Sequence, residues 1–178
     1  MTQPAFTREF AMPSKHTFTI KPIEELLGQE MDGEEWADPF SGWNSPANHT
    51  NDLNPEAPTT HHLEAEEFAR CTPKELDGVL FDPPYSLRQI KEVYDSVGLK
   101  LMEERTRDAG FGDIKDILSR KVRLDGKAIC FGWNSMGFGI QRGFKMERIL
   151  LVPHGGPHND TIVTVERKIQ SQFFADVF

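Results

Sequence analysis

Asp77-Gly78-Val79-Leu80-Phe81-Asp82-Pro83-Pro84-Tyr85 is the stretch on which the fold turns. Val79 to Phe81 is apolar, Gly78 opens the run, and two prolines forbid its continuation, so it reads as a short buried strand. An acid at the carboxyl end of a buried strand is where open α/β sheets place their ligand chemistry. Asp82 can accept a hydrogen bond from an amine. Pro83 has no N–H to donate, but its carbonyl can serve as a second acceptor, and Tyr85 offers a flat face on which a base can stack. Two acceptors converging on one NH₂ group beside an aromatic plate suit the exocyclic amine of a nucleobase. Such an amine is a poor nucleophile because its lone pair is delocalised into the ring. Acceptors on its hydrogens favour the pyramidal, reactive form. The plainer reading is a tight turn after a strand, since Pro-Pro marks turns anyway.

A chain of 178 residues fits one domain with a sizeable core. Its 38% hydrophobic and 27% charged content is ordinary for a globular protein. No run of apolar residues is long enough to span a membrane. Met1 to Phe10 lacks the basic and apolar regions of a secretory signal. Cys71 and Cys130 have no metal spacing and read as reduced thiols. The net charge of -8 opposes nucleic-acid binding by the whole-molecule field, so any such contact must use a local patch.

In chain order, residues 1–9 read as a loose lead-in. Pro22 suits the first turn of a helix with Ile23, Leu26 and Leu27 on one face, and Glu24 and Glu25 favour its dipole. Trp36-Ala37-Asp38 reads as a short strand, followed by Pro39-Phe40-Ser41-Gly42, where Gly42 lets backbone pass close to a ligand. Parallel neighbours normally need a crossover of about a dozen residues. Trp43 to Asn48 leads almost directly to His49-Thr50-Asn51-Asp52, so this crossover is trimmed to a loop or a single turn. Asp52, ending the second strand, suits ribose hydroxyls, and equally an Asx turn. His61-His62-Leu63 reads as a short third strand; no partner ligand has the spacing for zinc. Glu66 to Arg70 starts a short helix.

After Tyr85, Ser86 can cap a helix with Leu87, Ile90, Val93, Tyr94 and Val97 inward, ended by Gly98. Residues 99–112 read as a loop. Asp113 is expected to cap a helix with Ile114, Ile117, Leu118 and Val122 inward and Lys115, Arg120, Lys121 and Arg123 outward. With Arg105 and Arg107 these form the main concentration of positive charge, with Arg142 and Lys145 as the next. Lys127 to Asn134 reads as a fifth strand, with Trp133 and Asn134 as candidates for the floor of a base pocket. Residues 145–153 and 160–168 read as a hairpin around His154-Gly155-Gly156-Pro157-His158-Asn159. The tail from Ile169 to Phe178 carries three phenylalanines, suited to packing on the body or on a second copy in a homodimer.

Asp82-Pro83-Pro84-Tyr85, with Asp38-Pro39-Phe40-Ser41-Gly42 upstream in register, resembles the small adenine-specific amino-methyltransferases of phages and prophages. The resemblance covers roughly residues 10–168. It implies a single Rossmann-like α/β domain with a mostly parallel sheet, a C-terminal antiparallel hairpin and no separate target-recognition domain. It implies methyl transfer from S-adenosylmethionine to the N6 amine of adenine in DNA, by base flipping, in a bacterial or phage-infected cytoplasm. Asp82, Pro83, Pro84 and Tyr85 would be catalytic. Asp38, Pro39, Phe40, Gly42, Asp52 and Glu64 would hold the cofactor, Glu64 at its adenine ring. Trp133, Asn134, Arg120 and Lys121 would meet the substrate. Two rivals stay open: a methyltransferase of RNA or of a protein amide, and a binding protein that kept the fold without the chemistry.

Overall fold

The structure, a computed structural model, describes residues 3–84, 87–98 and 111–170. Tyr85, Ser86, Arg105 and Arg107, the 99–110 segment and the end of the tail lie outside the described residues. Seven strands form one sheet: β1 (Ala5–Arg8), β2 (Trp36–Asp38), β3 (His49–Thr50), β4 (Leu76–Phe81), β5 (Val122–Gly132), β6 (Phe144–Val152) and β7 (Thr161–Lys168). Their order is β1-β6-β7-β5-β4-β2-β3. Every pairing is parallel except those of β7, which runs antiparallel to both β5 and β6. This is the mostly parallel, Rossmann-like sheet with a terminal antiparallel hairpin that methyltransferases use.

Among the described residues are four helices: α1 (Lys21–Glu30), α2 (Ala65–Cys71), α3 (Leu87–Ser96) and α4 (Phe111–Ser119). Alternation along the strands feeds two cores. Leu80, Ile129 and Phe131 join Ile23, Leu26 and Leu27 of α1 on one face. Val79, Phe81, Ala128 and Cys130 join Phe68 of α2 and Ile114 and Leu118 of α4 on the other. Gly78 lets the indole of Trp36 lie against β4: a Cβ there would sit 2.4 Å from the ring. Truncating a buried aromatic such as Phe81 to alanine would cost about 3–5 kcal/mol.

The structure corrects several local expectations. The lead-in contains β1, which pairs with β6 in the register Phe6↔Ile149. A four-residue edge strand whose partner lies far along the chain leaves no local signature. The third strand shrinks to one bridge, Asn51↔His61. The trimmed crossover, 39–48, holds no helix. α4 starts at Phe111, so Asp113 lies in its first turn rather than capping it, and Val122 already belongs to β5. β5 starts before Lys127 because it carries a bulge: Leu76 pairs with Val122, but Gly78 pairs with Lys127. Asp125 absorbs the bulge in the left-handed region, at φ 64. The strand ends at Gly132, which leaves Trp133 and Asn134 in the loop beyond.

Candidate active site

Asp38 ends β2 with its side chain fully buried. Its Oδ1 accepts the Phe40 N–H at 2.9 Å, and its Oδ2 accepts the Ser45 hydroxyl at 2.6 Å. Burial pushes its pKa up to about 7. The two hydrogen bonds oppose that rise, and the neighbouring carboxylates of Asp82 and Asp52 add to it. Asp52 accepts the Gly42 N–H through Oδ2 at 3.0 Å and the Asn54 N–H through Oδ1 at 2.8 Å. It is therefore an Asx-type cap as well as a candidate ribose ligand. Gly42 takes φ 54, which a side chain would resist. This bond fastens the loop after β2 to the end of β3 without a helix.

Asp82 follows β4 at the carboxyl edge of the sheet. Desolvation raises its pKa to about 6, and a hydrogen bond from the Thr17 side chain only partly offsets this. It is common to the walls of two cavities. The larger, about 630 Å³, is also lined by Pro39, Phe40, Asp52, Leu53, Glu64, Pro84 and α3. The smaller, about 240 Å³, is lined by Lys15 to Phe18, Phe40, and Ser41 to Asn44. Phe40 also lines both, its ring held edge-on by Phe81 and Phe111 at 5.3 Å each. Asp38, Asp52 and Asp82 thus come together near Phe40, with Pro39, Gly42 and Glu64 beside them, while Asp38 itself lines neither cavity.

Other expected site residues lie elsewhere. Trp133 and Asn134 line neither cavity; Trp133 is 45% exposed, and Asn134 caps the Met136 N–H. Arg120 and Lys121 were expected near the substrate face. Leu76 and Val122 are paired at the amino end of β4 and β5, so the turn before Val122 lies at the opposite end of the sheet from Asp82. Lys121 Nζ donates to the carbonyls of Arg70 and Thr72. Lys115 turns inward rather than outward: it donates to the Gly137 carbonyl at 2.6 Å and sits over the Phe81 and Phe138 rings. Arg123 pairs with Asp77 at 2.8 Å.

The sequence reading also missed residues. Ile90, Val93 and Tyr94 of α3 line the large cavity instead of filling a core, and the Tyr94 hydroxyl donates to Glu64 at 2.7 Å. Helical periodicity marks an apolar face without saying whether protein or ligand covers it. Asn51 is a buried clasp that donates to the Pro39 and Leu63 carbonyls and accepts the Leu63 N–H. Lys15 to Thr17 reach the site because β1 anchors the segment before them, and no local pattern signals that. Among the described residues no His, Cys, Asp and Glu cluster could hold a metal ion, and no helix is long and apolar enough to cross a membrane.

No family model matches the chain, and no curated protein matches its sequence. Four chains of known structure do match it. One of them is "Putative methyltransferase yhhF from Escherichia coli"; the likeness covers 84% of each chain, with a TM-score of 0.51 at 10% identity. At that identity what the two share is the fold: a methyltransferase-type Rossmann-like sheet, reached here by a chain with Asp82 at the carboxyl end of its fourth strand.

Proposed function

We propose that the chain transfers a methyl group from S-adenosylmethionine to the exocyclic N6 amine of adenine in DNA. The observation that carries this reading is the position of Asp82, an acceptor at the sheet's carboxyl edge on the wall shared by two cavities. The cofactor fits the residues present. A cavity of about 630 Å³ is within the usual size for a ligand of this kind. Asp52 and Glu64 offer acceptors for ribose hydroxyls and the adenine amine, and Leu53, Ile90 and Val93 offer apolar walls. Asp52 and Asp82 on these walls, with Asp38 buried behind them, suit a ligand that carries positive charge. The short crossover leaves a gap over that loop, and Lys15 to Phe18 cover it, which gives the methionine end a place in the smaller cavity.

The bound cofactor supplies an electrophilic methyl on sulfur; the rest is positioning by the chain. Asp82, with a pKa of about 6, is mostly ionised at neutral pH, so it accepts from the amine. The Pro83 carbonyl is the candidate second acceptor. The base must leave its stack to reach a carboxylate set into a cavity wall.

The test is transfer of labelled methyl from the cofactor to DNA, with Asp82→Ala as the control. Label in adenine that is lost in the variant supports the assignment. Cofactor binding in calorimetry with no label in any nucleic acid overturns it. In the same calorimetry Asp52→Ala should weaken cofactor binding by about 1.5–3 kcal/mol, the range for hydrogen bonds to a charged group. Unchanged affinity would leave Asp52 as a turn residue only.

A further inference from the structure

All strands of the sheet but β7 point the same way, so the loops after β1, β2, β4 and β5 share one end of it with Asp82. Those loops expose large apolar side chains: Phe10 at 64%, Met12 at 72%, Trp43 at 52%, Trp133 at 45% and Met136 at 79%. Strand order places them in sequence. Phe10 and Met12 follow β1, Trp133 and Met136 follow β5, Asp82 follows β4, and Trp43 follows β2. Trp133 and Trp43 therefore stand on either side of the catalytic carboxylate. Asp82 is one residue past the Phe81↔Cys130 pair, so Trp133 lies about 7 Å further along and one strand across.

The loop that carries Trp133 is pinned. Glu166, buried in β7, accepts the N–H groups of Phe138 and Gly139, and Lys115 holds the Gly137 carbonyl. Its aromatic is thus presented on a fixed support.

Among the described residues, charge on the loops at this end has the wrong sign for a polyanion. Among the described residues, the loops from 9–20, 39–48, 51–64 and 133–143 and the turn at 153–160 carry two strong cations, Lys15 and Arg142. Arg142 is engaged by Asp116 and by the Phe138 carbonyl. Glu9, Asp52, Glu56, Glu64 and Asp160 lie on the same loops, and Asp82 follows β4 beside them. A duplex held by its phosphates needs several cations on one face. A strand with unpaired bases needs aromatic faces, which every base can stack on.

From this juxtaposition we infer that the substrate is a single strand: the target base sits at Asp82, and its two neighbours stack on Trp133 and Trp43. This rests on the methyl-transfer reading above and adds the form of the substrate to it. The same chemistry serves unpaired DNA and unpaired RNA.

The experiment uses labelled oligonucleotides of one sequence as single-stranded DNA, single-stranded RNA and duplex DNA. Affinity is read without cofactor at several salt concentrations, and methyl transfer is counted with it, for wild type, Trp43→Ala, Trp133→Ala and the two Trp→Phe variants. Thermal melting checks that each variant folds. The expected result is faster methylation of a single strand than of the duplex, with the DNA and RNA arms identifying which strand, and a shallow salt dependence. Each Trp→Ala should weaken single-strand binding about 5- to 150-fold, the range for one base–aromatic stack, and Trp→Phe should restore most of it. Duplex methylated as fast as the single strand, with a steep salt slope, overturns the inference and leaves adenine methylation standing. So do alanine variants that bind as wild type does, or that change only the oligomeric state. Methyl transfer to no nucleic acid at all overturns the underlying reading.

Discussion

Asp77 and Asp82 stand at the two ends of β4, and they are held in opposite electrostatic states. Asp77 accepts the N–H groups of Glu34 and Glu35 at 3.0 Å each and pairs with Arg123 at 2.8 Å. The Glu35 N–H, and then Arg123, hold its carboxyl below the usual carboxylate range. Asp82 is pushed the other way by desolvation, to about 6. The amino end of the sheet repeats the first pattern. Lys127 donates to the Glu30 carbonyl and pairs with Glu30 and Asp32, and Lys121 is spent on two carbonyls. Asp38 at the carboxyl end is raised as well, to about 7, because burial outweighs its two donors. One residue type thus serves as a brace at the amino end and, in Asp82, as a poised acceptor on a cavity wall.

The sharpest way to break this contrast is at Asp82. Asp82→Ala should lower methyl transfer by about 100- to 1000-fold, as removal of one group that stabilises a transition state does. Its melting temperature should not fall, because a carboxylate that is costly to bury has been removed. Full activity would make Asp82 a second Asp77.

Asp77→Ala should do the reverse. It strips acceptors from two backbone N–H groups and the partner from Arg123, and should destabilise by about 3 kcal/mol after discounting for the partly exposed pair. Cofactor affinity in the folded variant should be unchanged. Loss of affinity without loss of stability would erase the distinction between the two ends.

Acidity offers a smaller effect with a definite sign. The folded pKa values of Asp38 and Asp82, about 7 and about 6, lie above the ordinary aspartate value of 3.8. Their contribution to stability is therefore fully present below about pH 4 and is lost as pH rises through 6 and 7. Asp77, with a lowered pKa, contributes above the ordinary carboxylate range and loses that contribution as pH falls. A cationic ligand favours the ionised acids, so cofactor affinity should rise about three- to tenfold per pH unit between 5 and 7, with protons released on binding. Calorimetry in buffers of different ionisation enthalpy counts those protons, and Asp38→Asn should flatten the curve. Proton uptake would show that the acids do not meet the cation.

The smallest change is expected at the amino end. Replacing Arg120 and Lys121 with alanine should cost about 1 kcal/mol through the two carbonyls Lys121 serves, and leave nucleic-acid affinity and its salt slope as they were. A slope reduced by about one unit per lost phosphate contact would put the substrate on the wrong side of this comparison.

What the sequence disclosed follows the same division. Strand β4, β2 and the closing hairpin were legible because apolar runs between turn residues are local signals. The Asp38, Asp52 and Asp82 convergence was legible because each acid ends a strand of a parallel sheet. Periodicity could not tell that Ile90, Val93 and Tyr94 face a cavity. The outward reading of Lys115 failed because a lysine stem can run across two phenylalanine rings to reach a carbonyl. Thr17 reaches Asp82 because its neighbour Phe18 packs on Phe131, a contact between residues far apart in the chain.

The pairing of β1 with β6 bears on how the molecule is made. Ala5 is matched to Arg148 and the Ala11 carbonyl to His154, each contact joining residues 143 apart. Closing so long a loop is an entropically late event, and contacts of this separation slow folding. During synthesis the first strand must wait for almost the last. The Lys15 to Phe18 segment lies over Asp82 through a contact that comes nearly as late, Phe18 on Phe131, so a nascent chain can form α1 and β4 while that acid is still uncovered. Closure over Asp82 is then a late step of folding, completed as β1 meets β6.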